Sequence, residues 1–457
     1  MIEVDVAVIG GGVVGCAVAR ELAGAQVCVA LLEAGGDVGE GTSKANTAIL
    51  HTGFDAMPGS LESELVARGY ALLSDYSALV GIPVERTGAV MVAWTGADLD
   101  ALPGLRERAA KNGYDRCGLV DAGAVYAMVP SLAEGVLGGL TVPDESIICP
   151  WTTTLAFATE ARQRGVRLLF RHRVTDVRVE PEATVLVTEA GQVRARWVVN
   201  AAGLRGDVID EMYGFRRFTV TPRRGELLVF DKLSRPRVNQ IILPVPSAAG
   251  KGVLVSPTIY GNVLLGPTAE NLTDRDDTST SAHGLEFLLA KGRAIMPSLL
   301  EEEVTACYAG LRAATGQPGY VVELDPDRRY LLLGGIRSTG LTASMALAEH
   351  ARVLLGDAGL ALRPRDDLPD PPRMPNLGEA RVRPYQSDDQ IAADPEYGTI
   401  VCFCERVSRG EIRDALASPV PPCDLDGLRR RTRAGMGRCQ GFYCGAEVGA
   451  LLRQAAR

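Results

Sequence analysis

The opening stretch, from the N-terminus to Glu33, constrains this chain more than any other. Val4 to Ile9 is a short, mostly apolar, β-branched run, and Val27 to Leu32 is another. Such runs read as strands of a parallel sheet buried on both faces. Between them Gly10, Gly12 and Gly15 fall in the order G-x-G-x-x-G, with Val14, Val18 and Leu22 at helical spacing behind. Glu33 closes the unit directly after the second run. In a dinucleotide-binding βαβ unit each part has a physical job. Gly10 allows the tight turn, Gly12 lets a pyrophosphate reach the backbone, and Gly15 lets helix pack on strand. The helix N-terminus offers free N–H groups and a positive dipole end to phosphates. Glu33 can accept hydrogen bonds from a ribose hydroxyl. The motif does not separate FAD from NAD, and a ligand-free glycine turn between strand and helix is the plain alternative.

At 457 residues the chain is long enough for two or three domains, and 46% apolar content is ample for large cores. A net charge of −8 argues against a nucleic-acid protein, although the C-terminal region is locally basic. No run reaches the ~18 continuous apolar residues of a membrane span; contact with a membrane surface stays open. The first strand starts almost at once, which leaves no room for a signal peptide, so a cytoplasmic protein is expected. Five of the ten cysteines crowd between Cys402 and Cys444, near the C-terminus. In a cytosolic chain such clustering points to metal more than to disulfides.

After Glu33 comes a long stretch rich in Gly, Ser, Thr and Asn, of a length usually reserved for function. Its wording, GEGTSKANTAILHTGF followed by PGSLESELVARGYALL, resembles the flavin loop and following helix of the D-amino-acid-oxidase-like flavoprotein family. Within that family it is most similar to the FAD-dependent glycerol-3-phosphate dehydrogenases and L-2-hydroxyglutarate oxidases. The resemblance implies FAD rather than NAD, and makes Thr42, Ser43, Asn46 and His51 flavin-site candidates. It implies an adenine contact at Val174 and a second close approach to FAD at the NAAG segment, through Ala202 and Gly203; an ordinary strand-end glycine turn is the alternative for the latter. YAGLRAAT, Tyr308 to Thr315, is similar to the segment whose arginine binds the anionic end of the substrate, here Arg312. GGIRSTGLTASMALAEH resembles the glycine-rich turn and helix that point at the flavin ring, with Gly335, Gly340, Leu341 and Thr342 in contact. The likeness covers nearly all of residues 1 to 355.

Residues 86 to 140 mix short strands such as Ala89 to Ala93 with charged helical stretches and are assigned to a cap over the substrate. From Arg216 to Leu311, runs such as GELLVF, GVLVSP and GNVLLG carry antiparallel-sheet signals. The expected fold class is therefore α/β: a Rossmann-like FAD-binding domain (1–85, 145–215 and 325–360) interleaved with a substrate and cap domain on a large antiparallel sheet (86–144 and 216–324). Ala361 to Tyr397, with PRDDLPDPPRMP, reads as a semi-rigid, mostly extended linker (361–398) before a small helical module (399–457).

That module contains Cys402-Phe403-Cys404, a long gap, then Cys439 and Cys444, with Cys423 apart from both pairs. Two close cysteine pairs suggest a four-sulfur site. Structural zinc prefers wider knuckles than C-x-C, whereas a [2Fe–2S] cluster takes four cysteines, two on each iron. VCFCERVSRGEI and DLDGLRRRTRAGMGRCQGFYC resemble the small iron–sulfur domain of bacterioferritin-associated ferredoxins, also found at the end of some flavin dehydrogenases. The resemblance implies [2Fe–2S], with Cys402, Cys404, Cys439 and Cys444 as ligands; zinc is the alternative. Arg429, Arg430, Arg431, Arg433 and Arg438 read as a solvated face, a nucleic-acid patch or an offset to the charge of the metal site.

An FAD dehydrogenase needs an anchor for the substrate's anion and a group to take a proton. Arg312 is the first anchor, with Arg223 and Arg224 behind it, because a guanidinium forks onto carboxylate or phosphate. His51 suits the base, an imidazole titrating near working pH, although a lone histidine is as often structural. His172, His283 and His350 receive no role. The expected activity is oxidation of a small anionic alcohol, glycerol 3-phosphate first, on the resemblance alone. A 2-hydroxy acid such as 2-hydroxyglutarate, or an amino acid or opine, is the alternative substrate. A flavin holds two electrons and the cluster passes one at a time, so an electron-acceptor protein, such as a second flavoprotein subunit, or a quinone is expected. A non-catalytic, cofactor-carrying subunit is the competing class.

Overall fold

The computed structural model describes residues 1–457 except 248–249, 251, 380 and 456–457; the expected 361–398 and 399–457 units therefore each contain positions outside the described residues. The N-terminal run forms β1 (Ile2–Ile9), followed by helix α1 (Val13–Leu22) and strand β2 (Val29–Leu32). β1 is central. It pairs in parallel with β2, Ile9 beside Leu32, and on its other side with the strand Gly191–Asn200, Ile9 beside Asn200. Arg167–Leu169 extends the sheet beyond β2, and Tyr330–Gly334 pairs in parallel with Gly191–Asn200. Antiparallel strands, Val174–Val179 among them, complete eight. β2 and the second half of β1, Val6–Ile9, carry no polar residue because both faces are covered. α1 presses Cys16, Ala17, Val18 and Leu22 into the core, and each fully buried aliphatic side chain there contributes ~1.5–3 kcal/mol.

The second layer is a nine-stranded sheet. Its spine is an antiparallel pairing of Val220–Phe230 with Val304–Thr315, in which Arg223 faces Arg312. Ala89–Ala93, Gly118–Asp121 and Gly138–Val142 belong to this same sheet, joined through Ile241–Pro244. The stretch read as a cap is thus an edge of the substrate sheet with the helix Gly96–Lys111 beside it. Helix α2 (Leu61–Val80) begins at Ser60, whose side chain accepts from the Ser63 N–H, and stops at Gly81 with a left-handed φ of 85°. It packs against the helix Gly340–Asp357.

Among the described residues, 361 to 379 run without helix, yet they are tied down at intervals. Ala25 bridges Pro364, Met374 N–H donates to Val80 O, and Glu379 N–H donates to Ile259 O. A short helix, Asp388–Ala393, then precedes the last module. This is a hairpin (Ile400–Cys402 with Val407–Ser408) and three helices, Arg409–Leu416, Leu425–Thr432 and Gly445–Ala455. Its own core is small, built on Val401, Val407, Ile412, Leu428 and Val448 around Cys402 and Cys444. Modules of this size usually lean on metal or on docking. Among the described residues no helix is long and apolar enough to cross a membrane.

Candidate active site and metal centre

At the end of β1 the backbone turns through Gly10, whose φ of 108° suits glycine, and a Cβ there would meet the carbonyl oxygen of Ala201. A Cβ at Gly15 would collide with Gly10 O. Gly15 thus packs helix on strand and does not line the cavity. Gly12 opens α1 with no side-chain cap, and a Cβ there would meet only Ser43 Oγ, 3.2 Å away. The Val13 N–H donates to that hydroxyl at 2.9 Å. Glu33 accepts from the N–H of Gly11 (2.6 Å) and of Gly35 (2.7 Å). An open helix N-terminus, a glycine cradle that any side chain would narrow, and a carboxylate beside it fit a dinucleotide. The cavity they border encloses about 2310 Å³, more than the 300–1,000 Å³ typical of a small-ligand site.

The other expected flavin residues divide into wall and support. Val174, Ala202, Gly203, Gly335, Gly340 and Leu341 line the cavity, as do Thr42, Ser43 and Asn46. The Thr42 hydroxyl donates to Leu311 O at 2.6 Å, and Asn46 bonds the Ser43 carbonyl and the Ala48 N–H. These two side chains shape the loop. Thr342 is fully buried and absent from the wall; its hydroxyl accepts the His51 N–H at 3.0 Å.

On the substrate side, Arg223 and Arg312 stand across one ladder, and both line the cavity. Arg223 Nε donates to Asn271 Oδ1 (2.8 Å) and Arg312 Nη2 to Thr268 O (2.9 Å). Among the described residues neither pairs with a carboxylate. Like charges facing each other are unfavourable, and burial, then the charge of Arg223, holds the Arg312 guanidinium below its ordinary pKa. Such a pair is poised for an anion. Arg224, one residue on, faces the other way and is committed to Glu270 (2.6 Å) and Asp277 (3.2 Å), so it leaves the candidate set. His51 lines the cavity, with Nδ1 3.1 Å from Glu145 Oε2. Glu145 is fully buried, and its other oxygen accepts from both the N–H and the hydroxyl of Thr52. No sequence signal singled out Glu145: it is one acid in a loop before a short apolar strand.

In the last module the four paired cysteines come together. Cys404 hydrogen-bonds with Cys439 and Cys402 with Cys444, while the Gly435 N–H donates to Cys402 Sγ at 3.4 Å. Backbone N–H groups, that of Tyr443 first, hold the Cys439 thiol below its ordinary pKa. Two sulfur pairs in one small module, with backbone N–H donors on Cys402 and Cys439, fit a thiolate-bound cluster. Cys423 lies elsewhere, beside Glu40 and Asp424. Arg430, Arg431 and Arg433 are buried in a seam and not on a solvated face, whereas Arg438 is half-exposed. Arg431 grips both oxygens of buried Asp37 (2.6 and 2.7 Å) and Arg430 reaches the same carboxylate at 3.1 Å. Arg433 bonds Glu405 and Asn262 and lies 4.2 Å over the Tyr260 ring; Arg438 bonds Asp231.

A family model described as FAD dependent oxidoreductase matches residues 5–352, and one described as BFD-like [2Fe-2S] binding domain matches residues 400–454. The chain is 33% identical to a glycerol 3-phosphate dehydrogenase of Caloramator mitchellensis, over 98% of this chain and 93% of the relative. It is 28% identical to an anaerobic glycerol-3-phosphate dehydrogenase subunit of Escherichia coli strain K12, over 98% of this chain and 88% of that relative. Among solved structures it is similar to dithionite-reduced L-alpha-glycerophosphate oxidase from Mycoplasma pneumoniae with FAD bound: TM-score 0.77, 26% identity, 82% of this chain and 100% of that one.

Proposed function

This chain belongs to the FAD dependent oxidoreductase family, and from that premise we propose that it oxidises glycerol 3-phosphate at the secondary hydroxyl and passes the electrons on through its C-terminal module. It is an enzyme acting on CH–OH groups, and its cofactors are FAD and a [2Fe–2S] cluster. The observation that carries the substrate is the Arg223 and Arg312 pair, two guanidiniums on one cavity wall without a carboxylate partner among the described residues. A phosphate dianion matches them in charge and in fork geometry.

In this reading Arg312 and Arg223 bind the phosphate and so fix which carbon faces the flavin. His51, oriented through Nδ1 by Glu145, takes the hydroxyl proton at Nε2. Gly10, Gly12, Glu33 and Ser43 hold the ribose and pyrophosphate. Val174, Ala202 and Gly203 lie along the adenosine half, and Gly335, Gly340 and Leu341 along the ring, with Thr42, Asn46 and Thr342 bracing the loop. Bound FAD supplies the acceptor for the two electrons of the C–H bond. Cys402, Cys404, Cys439 and Cys444 hold the cluster, which supplies one-electron transfer to an acceptor protein, a second flavoprotein subunit being the expected kind. The E. coli relative is itself called a subunit. Cysteines that are cluster ligands or thiols, with no disulfide among the described residues, suit a cytoplasmic setting.

The test is anaerobic mixing of purified protein with single substrates while the flavin absorbance is followed. Glycerol 3-phosphate bleaches the flavin; glycerol, which lacks the anion, does not. Bleaching by 2-hydroxyglutarate or an amino acid in place of glycerol 3-phosphate overturns the assignment.

A further inference from the structure

The helix Leu425–Thr432 does not merely rest on the flavoprotein; it lies on the loop that follows Glu33. A Cβ at Gly427 would come within 2.6 Å of Asp37 Oδ2, and one at Gly36 within 2.7 Å of Cys423 Sγ, so the approach relies on a glycine from each side. Arg431 already satisfies both Asp37 oxygens. Arg430 is therefore surplus to that clamp. Its side chain is 9% exposed, and among the described residues it makes one hydrogen bond, from Nη2 to Asp37, with Glu40 at 3.9 Å from the same nitrogen. A guanidinium carries five N–H donors, so donors remain on Arg430 beyond its one bond to Asp37.

Arg430 also stands in the right place. It lines the FAD cavity and shares a small crevice with Gly39 and Ser43. Ser43 in turn accepts from Val13 in the first turn of α1, where the helix offers its positive end. This end of the cavity carries Glu33 and Glu40 on the wall and Asp37 behind, with Lys44 next to Ser43 as a further cation. A dianion entering there needs a cation, and Arg430 brings one from 393 residues downstream of Asp37.

We propose that the [2Fe–2S] domain completes the FAD site, with Arg430 a binding residue for the cofactor's pyrophosphate. The proposal rests on the pyrophosphate lying at Gly12 and the start of α1. The consequence is that the two cofactors are bound as one unit, since the residue that seals one belongs to the module that holds the other.

The experiment uses the full-length chain with its cluster intact and FAD removed, titrated by calorimetry with ADP, which carries a pyrophosphate, and with adenosine, which does not. Arg430→Ala weakens ADP at least about tenfold, the lower end for hydrogen bonds to charged groups, and leaves adenosine unchanged. Arg430→Lys falls between, keeping charge but losing the fork. If Arg430→Ala fails to fold or to keep its iron, Arg430→Gln replaces it with the same expectation. Equal weakening of ADP and adenosine, or no change in ADP, overturns the proposal. Gly12→Val separates the premise: if that variant binds ADP normally, the pyrophosphate is not where the proposal needs it, and the proposal falls with the placement.

Discussion

Arg223 and Arg224 are neighbours in sequence and opposites in use, because successive strand residues point to opposite faces. Arg223 meets Arg312 over the cavity, and Arg224 is buried in a pair of acids. Arg312→Ala should therefore raise the Michaelis constant for glycerol 3-phosphate by a factor of ten or more, about 1.5–3 kcal/mol per charged hydrogen bond, with FAD content intact. Arg224→Ala should leave that constant alone and lower Tm instead, since it removes a buried guanidinium with both its ion pairs. Steady-state kinetics beside a thermal melt read both. Glu145 acts through His51. Glu145→Gln removes the charge that orients the imidazole, so kcat should fall and its pH profile move while the Michaelis constant holds. A variant that shifts only Tm would reduce Glu145 to a support for Thr52.

At the scale of elements, the N-terminal unit is legible because pattern and chemistry coincide: two apolar runs, three glycines and one carboxylate at fixed spacing become β1, α1, β2 and Glu33. Ala89–Ala93 is likewise a strand with the bounds read for it. The two close cysteine pairs stand out in the sequence too, but the sulfurs that meet, Cys404 with Cys439 and Cys402 with Cys444, come from opposite ends of the gap. Cys402→Ser should lose the ~2 iron and ~2 sulfide of a [2Fe–2S] cluster, whereas Cys423→Ser should keep them; iron and labile-sulfide assays decide. What stayed hidden depends on partners far along the chain. The meeting of Glu145 with His51 spans 94 residues, and that of Asp37 with Arg431 spans 394. No run of charges announces whether it faces water or a buried acid, so the arginines of the last module could not be placed from their own segment.

At the scale of the whole molecule the docking seam is ionic, and acid should open it. Burial pushes the Glu405 carboxyl up, but Arg433 and Lys232 more than offset it and hold it below its ordinary range. Asp231, facing Arg438, is depressed in the same way against its own burial. A depressed carboxyl contributes stability above the ordinary carboxylate pKa, about 4, and loses it as pH falls below that. Protease resistance of residues 361–398 should thus be flat from pH 8 to about 5 and collapse below about 4; a loss near pH 7 would refute the ionic seam. Electron flow gives a second prediction. Cys404→Ser should leave single-turnover flavin bleaching near the wild-type rate while steady-state transfer to the acceptor protein fails. Equal loss of both would end the relay reading. The interleaved sheet has a further consequence, for synthesis. β1 is among the first strands to leave the ribosome, yet Tyr330–Gly334, which completes its layer, and the Gly340–Asp357 helix, which closes the ring end of the cavity, come after about three quarters of the chain. The opening glycine turn is therefore made long before the strand and helix around it, so the cavity wall comes together only once residues 330–357 have been added.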